Sequence, residues 1–209
     1  MNNLIYTLIR RQMQLNIYVI IHPIIQRLAN EIIYNYDKSR TNRMYDSNIK
    51  KLEILILYES IRKSIKGQNA YIKQIDLFKE KYLLDNKKKY LIVANLVTAY
   101  NIISEVNSLM PEKDIKHIDL KQILGKDNNK KSITNYLSSR NSINYRIIIF
   151  EKFLNKHTTI KILDYLTNKT SVKIGQVQVA CIACNNKIIR QIGRKYSNLS
   201  IYTTKIREH

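Results

Sequence analysis

Residues 146–166, RIIIFEKFLNKHTTIKILDYL, set the strongest limit on what this chain can fold into. An apolar run, Ile147 through Phe150, stops at an acidic Glu151, and Ile160, Leu163 and Leu166 then recur at helical spacing. A continuous apolar run suits a strand buried on both faces, the kind found in parallel sheets covered by helices. The layout therefore predicts a strand over 146–150, a loop over 151–158, and a helix that Thr158 and Thr159 would cap. In nucleotide enzymes such a junction points backbone N–H groups and a helix N-terminus at a phosphate, and glycines let the backbone come close. Here the loop reads Lys152-Phe153-Leu154-Asn155-Lys156-His157 and contains no glycine.

Further strands are predicted at 90–97 (YLIVANLV), 115–120, 177–183 and 199–203, with helices at 158–167 and 186–196 between them. Tyr100, Ile103 and Val106 have helical spacing as far as Leu109, and Pro111 ends that pattern. Strand and helix alternate through the second half, which argues an α/β fold with a mainly parallel, twisted sheet flanked by helices. The first half reads as a basic helix over 3–14, a long and mostly buried helix over 49–65 broken by Gly67, and a half-buried strand over 71–77. At 209 residues one domain is expected, 1–209, with residues 1–85 forming a helical and strand extension packed on the sheet domain. Residues 125–131 (GKDNNKK) read as a surface loop. Ligands in parallel sheets sit beyond the carboxyl ends of strands, so the loops at 97–101, 121–131 and 151–158 are where a site is expected.

Charge narrows the partners less than it first suggests. Lys and Arg number 36 against 16 Asp and Glu, a formal net charge of +20. That balance admits nucleic acid, acidic membrane surfaces or acidic proteins as partners. The chain is also rich in Ile, Asn, Lys and Tyr, with 4 Gly, 2 Pro and no Trp, the usage an A+T-rich genome imposes. No RNP-type motif accompanies the basic residues, so nucleic-acid binding is the less favoured reading. Cys181 and Cys184 form a C-x-x-C, but they lie in the apolar run VQVACIACNN, where free cysteines behave as small hydrophobes. With one Cys pair and scattered His22, His117, His157 and His209, no metal site is expected. Residues 15–25 (LNIYVIIHPII) fall short of the ~18 apolar residues a membrane span needs. Without a signal or transit pattern at its start, the chain is expected to act where it is made, in the stroma of a plastid that encodes it or in a bacterial cytoplasm.

Taken in order, these segments resemble uracil phosphoribosyltransferase, above all its cyanobacterial and plastid forms. Residues 15–25, with His22-Pro23-Ile24-Ile25, resemble that family's N-terminal strand and its His-Pro-hydrophobic pair. Leu57-Tyr58-Glu59 with Arg62 resembles its Leu-x-Tyr-Glu-Ala-x-Arg helix, and residues 93–100 occupy the place of its Val-Pro-Ile-Leu-Arg-Ala-Gly-Leu turn. Residues 199–206 fall where the family has Val-Tyr-Thr-Ala-x-Ile-Asp near the base site.

The departures from the family pattern lie in its ligand-binding positions. Val97 stands where the family places a pyrophosphate-binding arginine, and Lys121-Gln122 replaces an Arg-Asn-Glu-Glu motif. Residues 151–159 replace the loop Asp-x-x-x-Ala-Thr-Gly-Gly-Ser that holds 5-phosphoribosyl 1-pyrophosphate (PRPP). The sequence closes on Arg207-Glu208-His209, and the glycine-rich segment that hoods uracil in the family is expected to be missing.

The resemblance implies a type I phosphoribosyltransferase-like fold with degenerate PRPP-loop positions at Glu151, Lys156, Thr158 and Thr159. It also implies degenerate base-site positions at Tyr202 and Ile206, no catalytic residue, no metal ligand and no cofactor, magnesium entering only with residual activity. The expected function is that of a catalytically inactive homologue with a binding, regulatory or assembly role, as a homodimer or a subunit of a larger complex. Two alternatives stand beside it. One is residual or partner-completed synthesis of UMP from uracil and PRPP, with Lys121, Lys152 and Lys156 as phosphate ligands. The other is a basic module for RNA or a large complex.

Overall fold

The apolar runs form the strands of one sheet. The structure, a computed structural model, describes residues 15–38, 43–63, 65, 67–74, 77–84, 89–94, 116–119 and 145–208. Strands β1 (Asn16–Val19), β4 (Lys89–Ala94), β5 (Lys116–Asp119), β6 (Tyr145–Leu154), β7 (Val177–Asn185), β8 (Ser200–Thr203) and β9 (Lys205–Arg207) make up that sheet. Its order is β1-β8-β7-β6-β4-β5, with β9 pairing the far end of β7, and every pairing is parallel. The expected α/β architecture is what the chain adopts.

Alternation along the strands divides the core into two layers. Ile92, Ile148, Phe150, Ala180 and Ile182 face helices α1 (Pro23–Asp37) and α2 (Arg43–Arg62). Leu91, Val93, Ile147, Ile149 and Val179 face α3 (Thr158–Lys169) and α4 (Asn186–Lys195). Ile147, Ile148 and Ile149 are fully buried, because β6 has a neighbouring strand on each side and a helical layer on each face. Each such side chain contributes about 1.5–3 kcal/mol by leaving water. Pro23 starts α1 in the first turn, where its missing N–H costs nothing. Asn185 caps α4, its side-chain oxygen accepting from the Lys187 N–H at 2.8 Å. Asn198, at φ 66°, makes the left-handed turn into β8 that asparagine tolerates better than most residues.

Three local expectations are corrected. Residues 71–77 are not one half-buried strand: they end β2 (Gly67–Gln74) and begin β3 (Leu77–Leu84), an antiparallel pair separate from the main sheet. Tyr71 and Ile72 are exposed, because among the described residues this pair contributes nothing to either core layer. β6 runs four residues past Phe150, through Leu154, so most of the expected loop is strand. Neither threonine caps α3, whose cap position is His157 and carries no side-chain cap bond. The helix expected at 3–14, the one ending at Leu109, Val97, Lys121 and the loop at 125–131 lie outside the described residues. Among the described residues no helix is long and apolar enough to cross a membrane.

Candidate functional site

The carboxyl rim of the sheet is where β6, β7 and β9 end side by side. Leu154 is in register with Cys184, and Cys184 with Ile206. Only residues 155–157 separate β6 from α3, and the Asn155 N–H donates to the Phe153 carbonyl at 2.9 Å, tightening that turn further. Lys156 and His157 are exposed on it. A turn this short leaves little backbone to curl around a phosphate.

Glu151 and Thr159 lie beneath the turn. Glu151 Oε2 accepts from Thr159 Oγ1 at 2.8 Å, and Thr159 is fully buried. Burial pushes the Glu151 carboxyl above the ordinary range, while the Thr159 bond and the charge of Lys156 pull it back. The Thr159 hydroxyl is thus committed to Glu151 instead of to the helix end. A carboxylate near the α3 N-terminus complements the positive end of the helix dipole.

On the opposite face, Lys152 Nζ lies 3.6 Å from Oε1 of Glu53, a fully buried carboxylate of α2. That distance makes an ion pair but exceeds hydrogen-bond range, and Oε1 takes no hydrogen bond. Burial raises the Glu53 carboxyl to about 7 against the lowering influence of Lys152. Sequence reasoning missed this pair. The available signal was a single acid in the apolar run LEILIL.

The β7–β9 side of the rim has an unusual backbone. The Ile182 carbonyl accepts from the Thr204 N–H at 3.1 Å, from Thr204 Oγ1 at 2.5 Å and from Thr203 Oγ1 at 3.3 Å. Ile182 and Ala183 both pack in the α1/α2 layer, whereas Cys181 and Cys184 both pack in the α3/α4 layer. Side-chain alternation therefore skips a residue here, as it does around a bulge. Both threonine hydroxyls at the base-site position are turned inward and used. Cys181 and Cys184 are free, buried thiols; the hydrogen bond between them, then burial, raises Cys181 well above the usual thiol range.

These positions do not converge. Glu151 and Thr159 touch, Lys156 is close enough to act on Glu151, and Thr158 is half-buried at the start of α3. Ile206 is on the same rim but two strands away and partly exposed. Tyr202 lies in the other core layer, with β7 between it and β6. It stacks on Tyr18 at a 4.8 Å centroid separation and lines a groove of about 600 Å³ with residues 17–23, Glu59, Arg62 and Lys63. Burial, then the neighbouring Tyr18, raises the Tyr202 phenol above its ordinary value. Among the described residues no cluster of three or more His, Cys, Asp or Glu side chains could hold a metal ion.

No family model matches the chain. It is 26% identical over 194 residues to a protein of Porphyra purpurea named uracil phosphoribosyltransferase homolog, covering 93% of this chain and 89% of that one. A protein of Pyropia yezoensis with the same name is 25% identical over the same span and coverage. Among solved structures, the AQ2163 protein from Aquifex aeolicus superposes with a TM-score of 0.62 at 15% identity, covering 91% of this chain and 86% of that one, a likeness of fold. The residue-level resemblance and these comparisons point the same way: over nearly its whole length the chain is similar to proteins named uracil phosphoribosyltransferase homolog, and its mainly parallel α/β sheet is consistent with a type I phosphoribosyltransferase-like fold.

Proposed function

We propose that this chain is a non-catalytic relative of uracil phosphoribosyltransferase that retains the fold for a binding, regulatory or assembly role. The observation that carries this reading is the β6–α3 junction. Its turn spans residues 155–157, has no glycine, and covers a partly buried Glu151 bonded to Thr159. A phosphoribosyl-transfer site holds the 5-phosphate and the departing pyrophosphate of PRPP through oriented amide donors and cations, and losing even one preorganised donor costs about 10²–10³ in turnover. A preorganised amide nest is absent from the described part of this junction, and lysine as a point charge does not replace one. Lys152, one of the lysines that could have substituted, points instead at Glu53.

The protein works, in this proposal, as a homodimer or as a subunit of a larger complex. Its red-algal relatives and biased composition support a plastid stroma as the compartment. The decisive assay supplies the full chain with uracil, PRPP and magnesium and measures UMP. We expect no product above a Glu151→Ala control, and clear turnover above that control overturns the proposal.

A further inference from the structure

We propose that the outer edge of β1 is a docking site for an extended, acidic segment of a partner protein, which adds to the sheet as a parallel or antiparallel strand. β1 is the terminal strand of the sheet order, and among the described residues nothing pairs with its other side. The Asn16 N–H donates to the Leu199 carbonyl at 3.0 Å and the Ile20 N–H to the Thr203 carbonyl at 2.8 Å. Main-chain groups alternate in direction along a strand, so those of Asn16, Tyr18 and Ile20 face β8 and those of Ile17 and Val19 face outward. An edge with unpaired donors and acceptors is a template for another strand.

Two further observations select the occupant. Apolar side chains at the end of β1 are unusually open: Val19 is 45% exposed and Ile21, just past the strand, 82%. These favour an apolar side chain on the incoming strand. On the α2 side, the groove beside β1 is bordered by Arg62 and Lys63. Arg62 Nε is held by Glu59 Oε2 at 3.0 Å, and Lys63 Nζ sits 4.7 Å from the centre of the Tyr18 ring. Residues alternate in an added strand, so one set meets Val19 and Ile21 while the other reaches these cations. A second copy of this chain is disfavoured as the occupant, since it too carries a net +20. A segment alternating acidic and β-branched residues fits both rows. The inference does not depend on the absence of catalysis, so the UMP assay leaves it untouched.

The experiment uses the full chain and a synthetic eight-residue peptide alternating glutamate and valine, with a lysine–valine peptide and an N-methylated glutamate–valine peptide as comparisons. Binding of the first alone, with slowed amide exchange at Ile17 and Val19, is the expected result. The double variant Arg62→Glu/Lys63→Glu changes exposed side chains and should bind at least roughly tenfold more weakly while remaining folded, its melting temperature lowered only by the loss of the Arg62–Glu59 pair. Val19→Pro removes one outward N–H without touching the β8 ladder and should abolish binding. Equal binding of the lysine or N-methylated peptide overturns the proposal. So does failure of the glutamate–valine peptide to bind, protection confined to other amides, or full binding by the charge-reversed variant.

Discussion

Glu53 is the residue whose chemistry departs furthest from its place in the chain. A carboxylate buried in α2 with one cation at 3.6 Å is better accommodated by the folded protein when protonated. Its folded value, about 7, lies above the ordinary 4.5, so its contribution is fully present below about 4.5 and is lost as pH rises through 7. A displacement of that size corresponds to about 3 kcal/mol as an upper figure. Glu53→Gln should therefore match the native chain near pH 4.5 and exceed its stability by about 1–3 kcal/mol near pH 8. Urea unfolding at the two pH values checks this, and an equal effect at both would refute the assignment. Thr159 shows the same logic in a milder form. Its hydroxyl is used to satisfy a buried carboxylate, which is why it does not serve the helix end.

Among the elements, β6 was the most legible and also the most misread. Its first half announces itself through Ile147, Ile148, Ile149 and Phe150, and β4, β7 and β8 were readable on the same grounds. Its second half was hidden because Glu151 and Lys152 look like loop residues. They are strand residues, since each has a partner that local sequence does not reveal: Thr159 on α3 and Glu53 on α2. Phe153 and Leu154 then return to the core, Phe153 against Tyr36 at 4.1 Å between ring centres and Leu154 fully buried in the α3/α4 layer. β9 escaped notice because Lys205-Ile206-Arg207 has no apolar run, and its pairing with β7 depends on the skipped residue at Ile182. The exposed threonines of a capping signal and the buried threonine of a core bond look alike in sequence. The central place of β6 makes a firm prediction. Ile148→Asp puts an unpaired charge between Ile92 and Gln178 in a fully buried position, a loss of more than about 4 kcal/mol. Soluble expression should fail, and a soluble mutant with native far-UV circular dichroism would contradict the topology.

At the scale of the whole molecule, the proposed non-catalytic role predicts indifference to PRPP. A ligand present at one hundred times its dissociation constant adds about 2.7 kcal/mol to the native state. Millimolar PRPP with magnesium should leave the melting temperature unchanged, whereas a rise of roughly 5–11 °C would show that PRPP is still bound. The order of the sheet has a different consequence. Asn16, near the start of the chain, is in register with Ser200, near its end. On a translating ribosome the first strand emerges long before the strand it must join. At about 5–20 residues per second the wait is roughly 10–40 s. Throughout that interval Ile20, buried in the folded chain, and Ile17, half-buried there, stand in water without β8 beside them, so the first strand described is among the last to be enclosed, and the nascent chain spends its synthesis in need of something to shield it.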